Sequence, residues 1–138
     1  MNTTARPMRP RPLTTADSDP FWDAVGEHRL VVEQCAQCGR YQHPPRPVCP
    51  ACHSLDHTWP DMAGTGQVYS YTVLHHPQHP AFDYPLPIAA VDLDEGPRVV
   101  ANLVDVDPSL VHVGMRVTVD FVPTADDGTM IVFRPVPS

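Results

Sequence analysis

The chain has 138 residues, 42% of them hydrophobic and 18% charged, which allows one domain or a small metal-held module followed by one compact barrel. A large multidomain enzyme and a disordered tail are both excluded, because the chain is short but has enough apolar residues for a core. The formal net charge is −7 at pH 7, and the absence of lysine excludes catalysis through a lysine Schiff base.

All of the excess negative charge falls in residues 61–138. An acidic surface repels phosphate backbones, which argues against general nucleic-acid binding by this half. The sequence has neither an apolar run long enough to span a membrane nor the apolar region of a secretory signal. We therefore expect a cytoplasmic protein without membrane contact, in which cysteines serve as metal ligands rather than disulfides.

Residues 1–17 alternate arginines with prolines and show no hydrophobic periodicity. This pattern predicts a flexible or extended arm. Two alternatives remain open for it. One is an ordinary solvated terminus, and the other is an arm that lies on a partner protein or an anionic ligand.

A helix is predicted over residues 19–29, with Asp19 as its N-cap and Pro20 at its first helical position. Its apolar stripe consists of Phe21, Trp22 and Val25. A short strand over residues 30–34 then leads into the first cysteine pair.

The four cysteines form two C-x-x-C pairs, a spacing that lets the thiolates of two tight turns bind one tetrahedral ion. The predicted ligands of one zinc ion per chain are Cys35, Cys38, Cys49 and Cys52. Four thiolates fill the tetrahedron, so the zinc is expected to be structural. A redox pair is the less favoured alternative, because no βαβ pattern surrounds the cysteines. Three nearby histidines are weaker candidates for substitute ligands: His43, His53 and His57.

From Gly66 onward the chain alternates strand-like runs with turn sequences, which predicts an all-β domain. The predicted strands cover residues 67–75, 87–94, 98–105, 115–122 and 129–134. A single helical turn between Asp107 and Gly114 separates the third strand from the fourth. This plan matches a five-stranded OB-fold barrel. In its fourth strand, the side chains expected to face inward are Val117, Val119 and Phe121.

Residues 75–84 form a long loop rich in histidine and proline between the first two strands. Its histidines allow a second metal site or an acid–base pair, but adjacent histidines on such a loop are more often solvated. The loop aromatics Phe82 and Tyr84 indicate an interface with a protein or an apolar ligand, or a cap on the barrel. No serine lies in a G-x-S-x-G elbow, and we predict no reaction centre.

Several motifs together resemble a known family. They are F-W at residues 21–22, C-x-x-C-G at 35–39, P-P-R-x-x-C-P-x-C at 44–52, G-x-G-x-V-Y-S-x-T at 64–72 and F-R-P at 133–135. The chain resembles the small zinc-ribbon plus OB-fold proteins that accompany thiolase-like acyl-CoA enzymes, formerly a family of unknown function. One departure is His53, where relatives often have glycine.

The resemblance implies a mainly β fold, with an N-terminal helix and rubredoxin-like zinc ribbon over residues 18–62 and an OB barrel over 63–138. It also implies a non-catalytic subunit. Members of the family bind thiolase-superfamily partners in acyl transfer, Claisen condensation or retro-aldol cleavage of acyl-CoA thioesters, including steroid side-chain degradation.

The favoured hypothesis is therefore an accessory subunit in a hetero-oligomer with a thiolase-like or lipid-transfer-type aldolase or acyltransferase. The chain would support this partner and help to form its acyl-CoA channel. Arg40 and Arg46 are candidate contacts for CoA phosphates, with solvated surface arginines as the alternative. A second hypothesis is a single-stranded nucleic-acid binder that uses Tyr69 and Tyr71 as stacking platforms. A third is an enzyme that uses the histidine loop.

Overall fold

The computed structural model describes residues 7–137 as a mainly β protein with one short α-helix, a small sheet and a closed barrel. Its elements are α1 (Asp19–Gly26), β1 (Glu33–Cys35), β2 (Tyr41–Gln42), β3 (His57–Thr58), β4 (Thr65–Leu74), β5 (Leu86–Leu93), β6 (Arg98–Leu103), a 3₁₀ turn (Pro108–Leu110), β7 (Arg116–Pro123) and β8 (Thr129–Pro135). The predicted fold class is confirmed. No helix in residues 7–137 has the length and apolarity needed to cross a membrane.

The helix occurs where the sequence predicts it and begins at Asp19 as predicted, but its N-cap residue and its C-terminal end differ from the expectation. Its N-cap is Ser18 rather than Asp19, and it ends at Gly26 rather than Arg29. The chain turns after Gly26 because His28 adopts a φ of +60°, a left-handed conformation that ends a helix. The predicted apolar stripe faces the core, with Phe21 and Val25 buried and Trp22 packed against them.

The small sheet carries the cysteine pairs and has the strand order β2-β1-β3, with antiparallel neighbours. The strand predicted over residues 30–34 is observed as β1 at Glu33–Cys35, which is shorter and begins three residues later. Before β1, Val31 forms a single antiparallel bridge with Asp61. Strands β2 and β3 were not predicted, because two residues are too few to show a periodicity. The sheet buries the carboxylate of Glu33, which accepts a 2.8 Å hydrogen bond from the backbone N–H of Arg46.

The barrel has the strand order β4-β5-β6-β8-β7 and closes where β7 pairs with β4. Strands β6 and β8 run parallel, whereas the other neighbours are antiparallel. All five predicted strands are present, with ends shifted by at most two residues. The predicted helical turn is also present, and the Asp107 carboxylate caps it by accepting a 2.9 Å bond from the backbone N–H of Ser109. As predicted, Val117 is buried, and Val119 and Phe121 pack against the core.

One hydrophobic core runs through the helix, the small sheet and the barrel. The barrel contributes its most deeply buried aromatic side chain, Phe133, to this core. The segments before the first cysteine pair contribute Phe21, Val25, Leu30 and Val32 to the same cluster. The part of the chain that carries the cysteines and the barrel are therefore packed as one unit.

Residues 1–6 of the predicted arm lie outside the described residues, and the rest of the arm runs along the chain's own barrel. The backbone carbonyl of Arg9 accepts a 2.8 Å hydrogen bond from the N–H of Ala125, and its side chain donates to Asn102 Oδ1 at 3.2 Å. The same guanidinium lies 4.8 Å from the centroid of the Phe82 ring. A contact with the chain's own barrel was not among the alternatives weighed from the sequence.

Candidate metal centre and its surroundings

The structure brings the four cysteines of the two pairs together. Their Sγ atoms all lie within 4.8 Å of one another, with Cys35 and Cys52 at 3.5 Å and Cys38 and Cys49 at 3.7 Å. Four sulfurs at ~2.3 Å from one tetrahedral zinc ion lie ~3.8 Å apart. The cysteine set therefore fits a zinc ion in size and in ligand type.

The two turns that hold the cysteines have the same backbone design. The N–H of Gly39 bonds to the carbonyl of Cys35 at 3.0 Å, and the N–H of His53 bonds to the carbonyl of Cys49 at 2.9 Å. Gly39 and His53 both adopt left-handed backbone angles, with φ of +79° and +62°. His53 therefore occupies a glycine-like turn position, and the departure from the family pattern leaves the turn intact.

The pKa values of the thiols show that the backbone N–H groups of the turns favour thiolates, whereas the neighbouring thiols oppose the last ionisation. The backbone N–H of Cys38 lowers the pKa of Cys35 to about 6, and the backbone N–H of Cys52 likewise lowers the pKa of Cys49. At Cys52 the backbone N–H of Ser54 also lowers the pKa, but neighbouring thiols, Cys35 above all, raise it to about 12. Cys35 and Cys49 therefore form thiolates readily, whereas Cys52 needs a nearby cation to lose its proton. Binding of a metal ion at this cluster would then release protons.

Among residues 7–137, the four cysteines are the only cluster of three or more histidine, cysteine or acidic side chains arranged for a metal ion. The three histidines considered as substitute ligands do not join it. His57 bonds through Nε2 to the carbonyl of Pro47 at 3.0 Å. His43 packs its ring 5.2 Å from that of Phe21, and burial lowers the pKa of His43.

The histidine-rich loop between β4 and β5 is braced by its own residues. Tyr84 Oη accepts a 2.8 Å hydrogen bond from the backbone N–H of His79, and His79 Nδ1 accepts one from Ala81 at 3.0 Å. The Phe82 ring contacts His79 edge-on at 5.7 Å. Within residues 7–137 these histidines do not form a second metal cluster.

The two arginines proposed as CoA contacts lie together. Arg40 and Arg46 line a polar pocket of about 130 Å³ with Gln42 and His43. Sequence reasoning missed Gln42, which is only 5% exposed and whose side-chain nitrogen and oxygen bond to no other residue among residues 7–137. No sequence signal marks Gln42, because its burial results from the packing of the folded chain.

The tyrosines of the nucleic-acid hypothesis lie on β4 and are 52% and 41% exposed for Tyr69 and Tyr71. The guanidinium of Arg98 covers the Tyr69 ring at 3.4 Å from its centroid, while Arg98 also donates to Asp92 at 2.7 Å. One face of the exposed Tyr69 ring is therefore occupied by an internal contact.

Comparisons with known proteins agree with this architecture. Residues 22–58 match the family model of the ChsH2 rubredoxin-like zinc ribbon domain, and residues 59–122 match that of the ChsH2 C-terminal OB-fold domain. A DUF35 domain-containing scaffold protein of Pyrococcus furiosus is 37% identical over 100 residues, which cover 70% of this chain and 72% of that protein. This chain belongs to the DUF35 family.

Two further matches extend over nearly all of this DUF35 chain. A probable enoyl-CoA hydratase alpha subunit of Thermomonospora curvata is 46% identical over 93% of the chain, but the chain spans only 40% of that relative's length. A solved chain described as Ltp2-ChsH2(DUF35) aldolase is 46% identical, with a TM-score of 0.86 over 91% of this chain and 98% of that one. The similar proteins are thus named as scaffolds or as subunits of acyl-CoA-related enzymes.

Proposed function

We propose that this DUF35 chain is a non-catalytic accessory subunit of a thiolase-superfamily acyl-CoA enzyme, such as an aldolase, an acyltransferase or a thiolase. The proposal rests on the structural match to the DUF35 chain of an aldolase complex, because that match covers 98% of the other chain. The hydratase name carries less weight, since this chain matches less than half of that relative. Catalysis would belong to the partner.

The four cysteines would hold one structural Zn²⁺. When bound, the ion would supply cross-links between the two turns and no open coordination position, because four thiolates complete a tetrahedron. The backbone amides of the turns would orient the sulfurs and carry part of their negative charge. The result would be a rigid ribbon, proposed as residues 18–62, attached to the barrel, proposed as 63–138, through their shared core.

The ribbon is the proposed contact surface for the partner enzyme. It exposes two large apolar side chains, Val48 and Leu55, close in sequence to the second cysteine pair. Exposed apolar side chains on a rigid module favour protein contact over solvent. The barrel and its loop at residues 75–84 would help to shape the acyl-CoA channel.

Arg40 and Arg46 are proposed to contact the phosphates of the CoA moiety. Their support is that both line the same small polar pocket on the ribbon. Two guanidinium groups in one pocket suit a phosphate, because arginine offers paired N–H donors.

The test is capture of a partner by the zinc-loaded full chain. A thiolase-superfamily aldolase or acyltransferase is coexpressed with the tagged chain, and its turnover is measured with and without the chain on a panel of acyl-CoA substrates that includes a steroid side-chain thioester. We expect a stable complex and a partner that loses activity without the chain. An equally active partner that forms no complex would refute the proposal, as would acyl-CoA turnover by the chain alone.

A matched pair of variants tests the contact surface. Leu55 on the ribbon and Leu110 on the barrel are 70% and 65% exposed. Leu55→Asp should weaken partner binding by about tenfold or more, since it places a charge in an apolar contact, whereas Leu110→Asp should change it by less than about twofold. Equal effects of the two substitutions on partner binding would show that the partner does not bind at the exposed apolar surface of the ribbon.

A further inference from the structure

Strand β4 has a neighbouring strand on both sides for only part of its length. It pairs with β5 as far as its C-terminal end, but it pairs with β7 only from Thr65 to Gln67. Val68 extends the second side by one residue, through backbone hydrogen bonds of 3.0 and 2.8 Å to the segment just before β7. Within residues 7–137, no strand pairs with residues 70–74 on the side away from β5. These five residues therefore form a free edge of the barrel sheet.

The bonding pattern of β5 shows which of its residues face β4. The N–H of Asp94, directly after β5, bonds to the carbonyl of Thr65 at 3.0 Å. In an antiparallel ladder, every second residue bonds to the same neighbouring strand. Strand β5 pairs with β6 in an uninterrupted register, so the alternation continues along it. Ala90 and Ile88 therefore bond toward β4.

The same pattern identifies the unpaired backbone groups of the free edge. A register shift just before Ser70 places Ser70 and Thr72 opposite the two β5 residues that bond toward β4. The N–H and C=O groups of Tyr71 and Val73 therefore point away from β5. In the part of the chain that the structure describes, neither residue forms a backbone hydrogen bond on that side. The free edge thus offers two residues with both backbone groups available for pairing.

The free edge lacks the features that usually protect an exposed strand. Natural edge strands carry charged side chains, above all lysine, or a proline. Residues 62–82 contain no Asp, Glu, Lys or Arg, and β4 contains no proline. Its exposed half consists largely of tyrosine, threonine and valine, which have high strand propensity. Uncharged segments of this composition readily pair with a further strand.

Charge and symmetry favour a second copy of this chain as the further strand. The excess of negative charge lies in residues 61–138, so two barrels repel each other unless they approach through an uncharged surface such as the free edge. A twofold axis at Thr72 places Tyr71 of each copy opposite Val73 of the other. The edge-facing backbone groups then bond to one another. An aromatic residue opposite a β-branched residue is also a favourable cross-strand pair.

We propose that this chain forms a twofold-symmetric dimer by antiparallel pairing of the free edges of two copies, with the axis at Thr72. The two barrels would share one continuous sheet in the order β5-β4-β4-β5. The assembly is closed, because pairing leaves no edge-facing backbone group of Tyr71 or Val73 for a third copy. The contact uses the barrel rather than the ribbon. It goes beyond the proposed accessory role and does not depend on a partner enzyme.

Sedimentation of the zinc-loaded full chain, from micromolar to millimolar concentrations, tests the dimer. We expect a monomer–dimer equilibrium for the wild type. Thr72 is exposed, and Thr72→Lys would place two lysines opposite each other in a pair that shares no hydrogen bonds, where side chains lie closest. This substitution, or Thr72→Glu, should weaken dimerisation by about tenfold or more. Thr58 is an exposed threonine on β3 of the ribbon, and Thr58→Lys should change dimerisation by less than about twofold.

A mixture of the two Thr72 variants tests the position of the axis. Because residue 72 faces its own symmetry mate, a lysine copy and a glutamate copy would form a pair of opposite charges. An equimolar mixture of Thr72→Lys and Thr72→Glu should therefore dimerise at least about tenfold more tightly than either variant alone. A mixture that stays monomeric would overturn the placement of the axis at Thr72.

Hydrogen exchange in the wild type locates the contact without any substitution. The amides of Tyr71 and Val73 should exchange more slowly as the protein concentration rises, because the dimer pairs them. The exchange of the Ser70 and Thr72 amides should not depend on concentration, since both residues already bond to β5. In the Thr72→Lys chain, Tyr71 and Val73 should exchange rapidly at all concentrations, while the melting temperature stays near that of the wild type.

Several outcomes would overturn the proposal. A wild type that stays monomeric at millimolar concentration would do so, as would equal effects of Thr72→Lys and Thr58→Lys on dimerisation. Assemblies larger than a dimer would exclude a closed twofold pairing. If the amides of Tyr71 and Val73 are protected only after a partner enzyme is added, the free edge binds a strand of that partner instead. Thr72→Lys should leave partner capture by the ribbon unchanged, so the dimer and the accessory role fail separately.

Discussion

Replacing one of the four proposed zinc ligands should unfold the barrel as well as the ribbon. Cys38→Ser removes a thiolate from an exposed position, so the substitution itself leaves no buried cavity. The helix and the segment that precedes the first cysteine pair contribute four buried side chains to the shared core: Phe21, Val25, Leu30 and Val32. At ~1.5 to 3 kcal/mol for each buried side chain, their contribution is about 6 to 12 kcal/mol, an upper value because the unfolded chain is partly compact. The total stability of a domain is only ~5 to 15 kcal/mol.

The measurements for this prediction are zinc content by elemental analysis and thermal unfolding followed by circular dichroism. The wild type should contain one zinc per chain and unfold in one transition, whereas Cys38→Ser should lose most of its zinc and much of its sheet signal at 25 °C. Ala51→Ser adds the same hydroxyl to an exposed position inside the second turn that ligates nothing, and it should behave as wild type. A Cys38→Ser protein without metal that keeps the wild-type transition would refute the reasoning, as would metal-free wild type with full order.

Arg116 donates two hydrogen bonds to Asp94 and lowers the pKa of Asp94 from 3.8 to about 2. The ion pair therefore stabilises the fold above pH 4, and this contribution is lost as the pH falls toward 2. Arg116→Gln should therefore make the free energy of unfolding depend less on pH between 4 and 2. An unchanged pH dependence at low salt would contradict this. Gly26→Ala should raise the melting temperature by adding ~0.4 to 1 kcal/mol to the free energy of unfolding, because a methyl group there meets open space. Gly66→Ala should lower the melting temperature by removing ~1 to 3 kcal/mol, since its Cβ would collide with a backbone carbonyl of β5. Changes of the opposite sign would refute the packing argument. Arg9→Ala should cost ~0.5 to 1 kcal/mol in denaturant unfolding by removing its contact with the Phe82 ring, and a wild-type midpoint would mean that the arm adds nothing to stability.

Local patterns were sufficient to predict much of this fold. The alternation in the second half placed five strands, and the C-x-x-C spacing placed the four cysteines in one cluster. Both signals are short-range, because strand alternation and turn geometry are set by neighbouring residues. The one-residue error in the N-cap has the same origin, since Ser18 and Asp19 are equally good N-cap residues and only the packed structure chooses between them.

The features that the sequence could not predict depend on distant parts of the chain. The contact between Arg9 and Asn102 joins residues far apart in sequence, and no periodicity marks either of them. An apolar cavity forms only when α1, residues 43–45 and three barrel strands converge. The burial of Gln42 likewise follows from assembly, because glutamine is ordinarily a surface residue.

The parallel pairing of β6 with β8 sets an order of events during biosynthesis. Strand β8 also pairs with β7, so the ring of strands cannot close until residues 129–135 have left the ribosome. The cysteine turns are made much earlier and can take up their ion while the nascent chain still lacks its closing strand. Chain elongation at ~5 to 20 residues per second leaves several seconds between the two steps. The cysteine turns can therefore bind metal before the barrel has all of its strands.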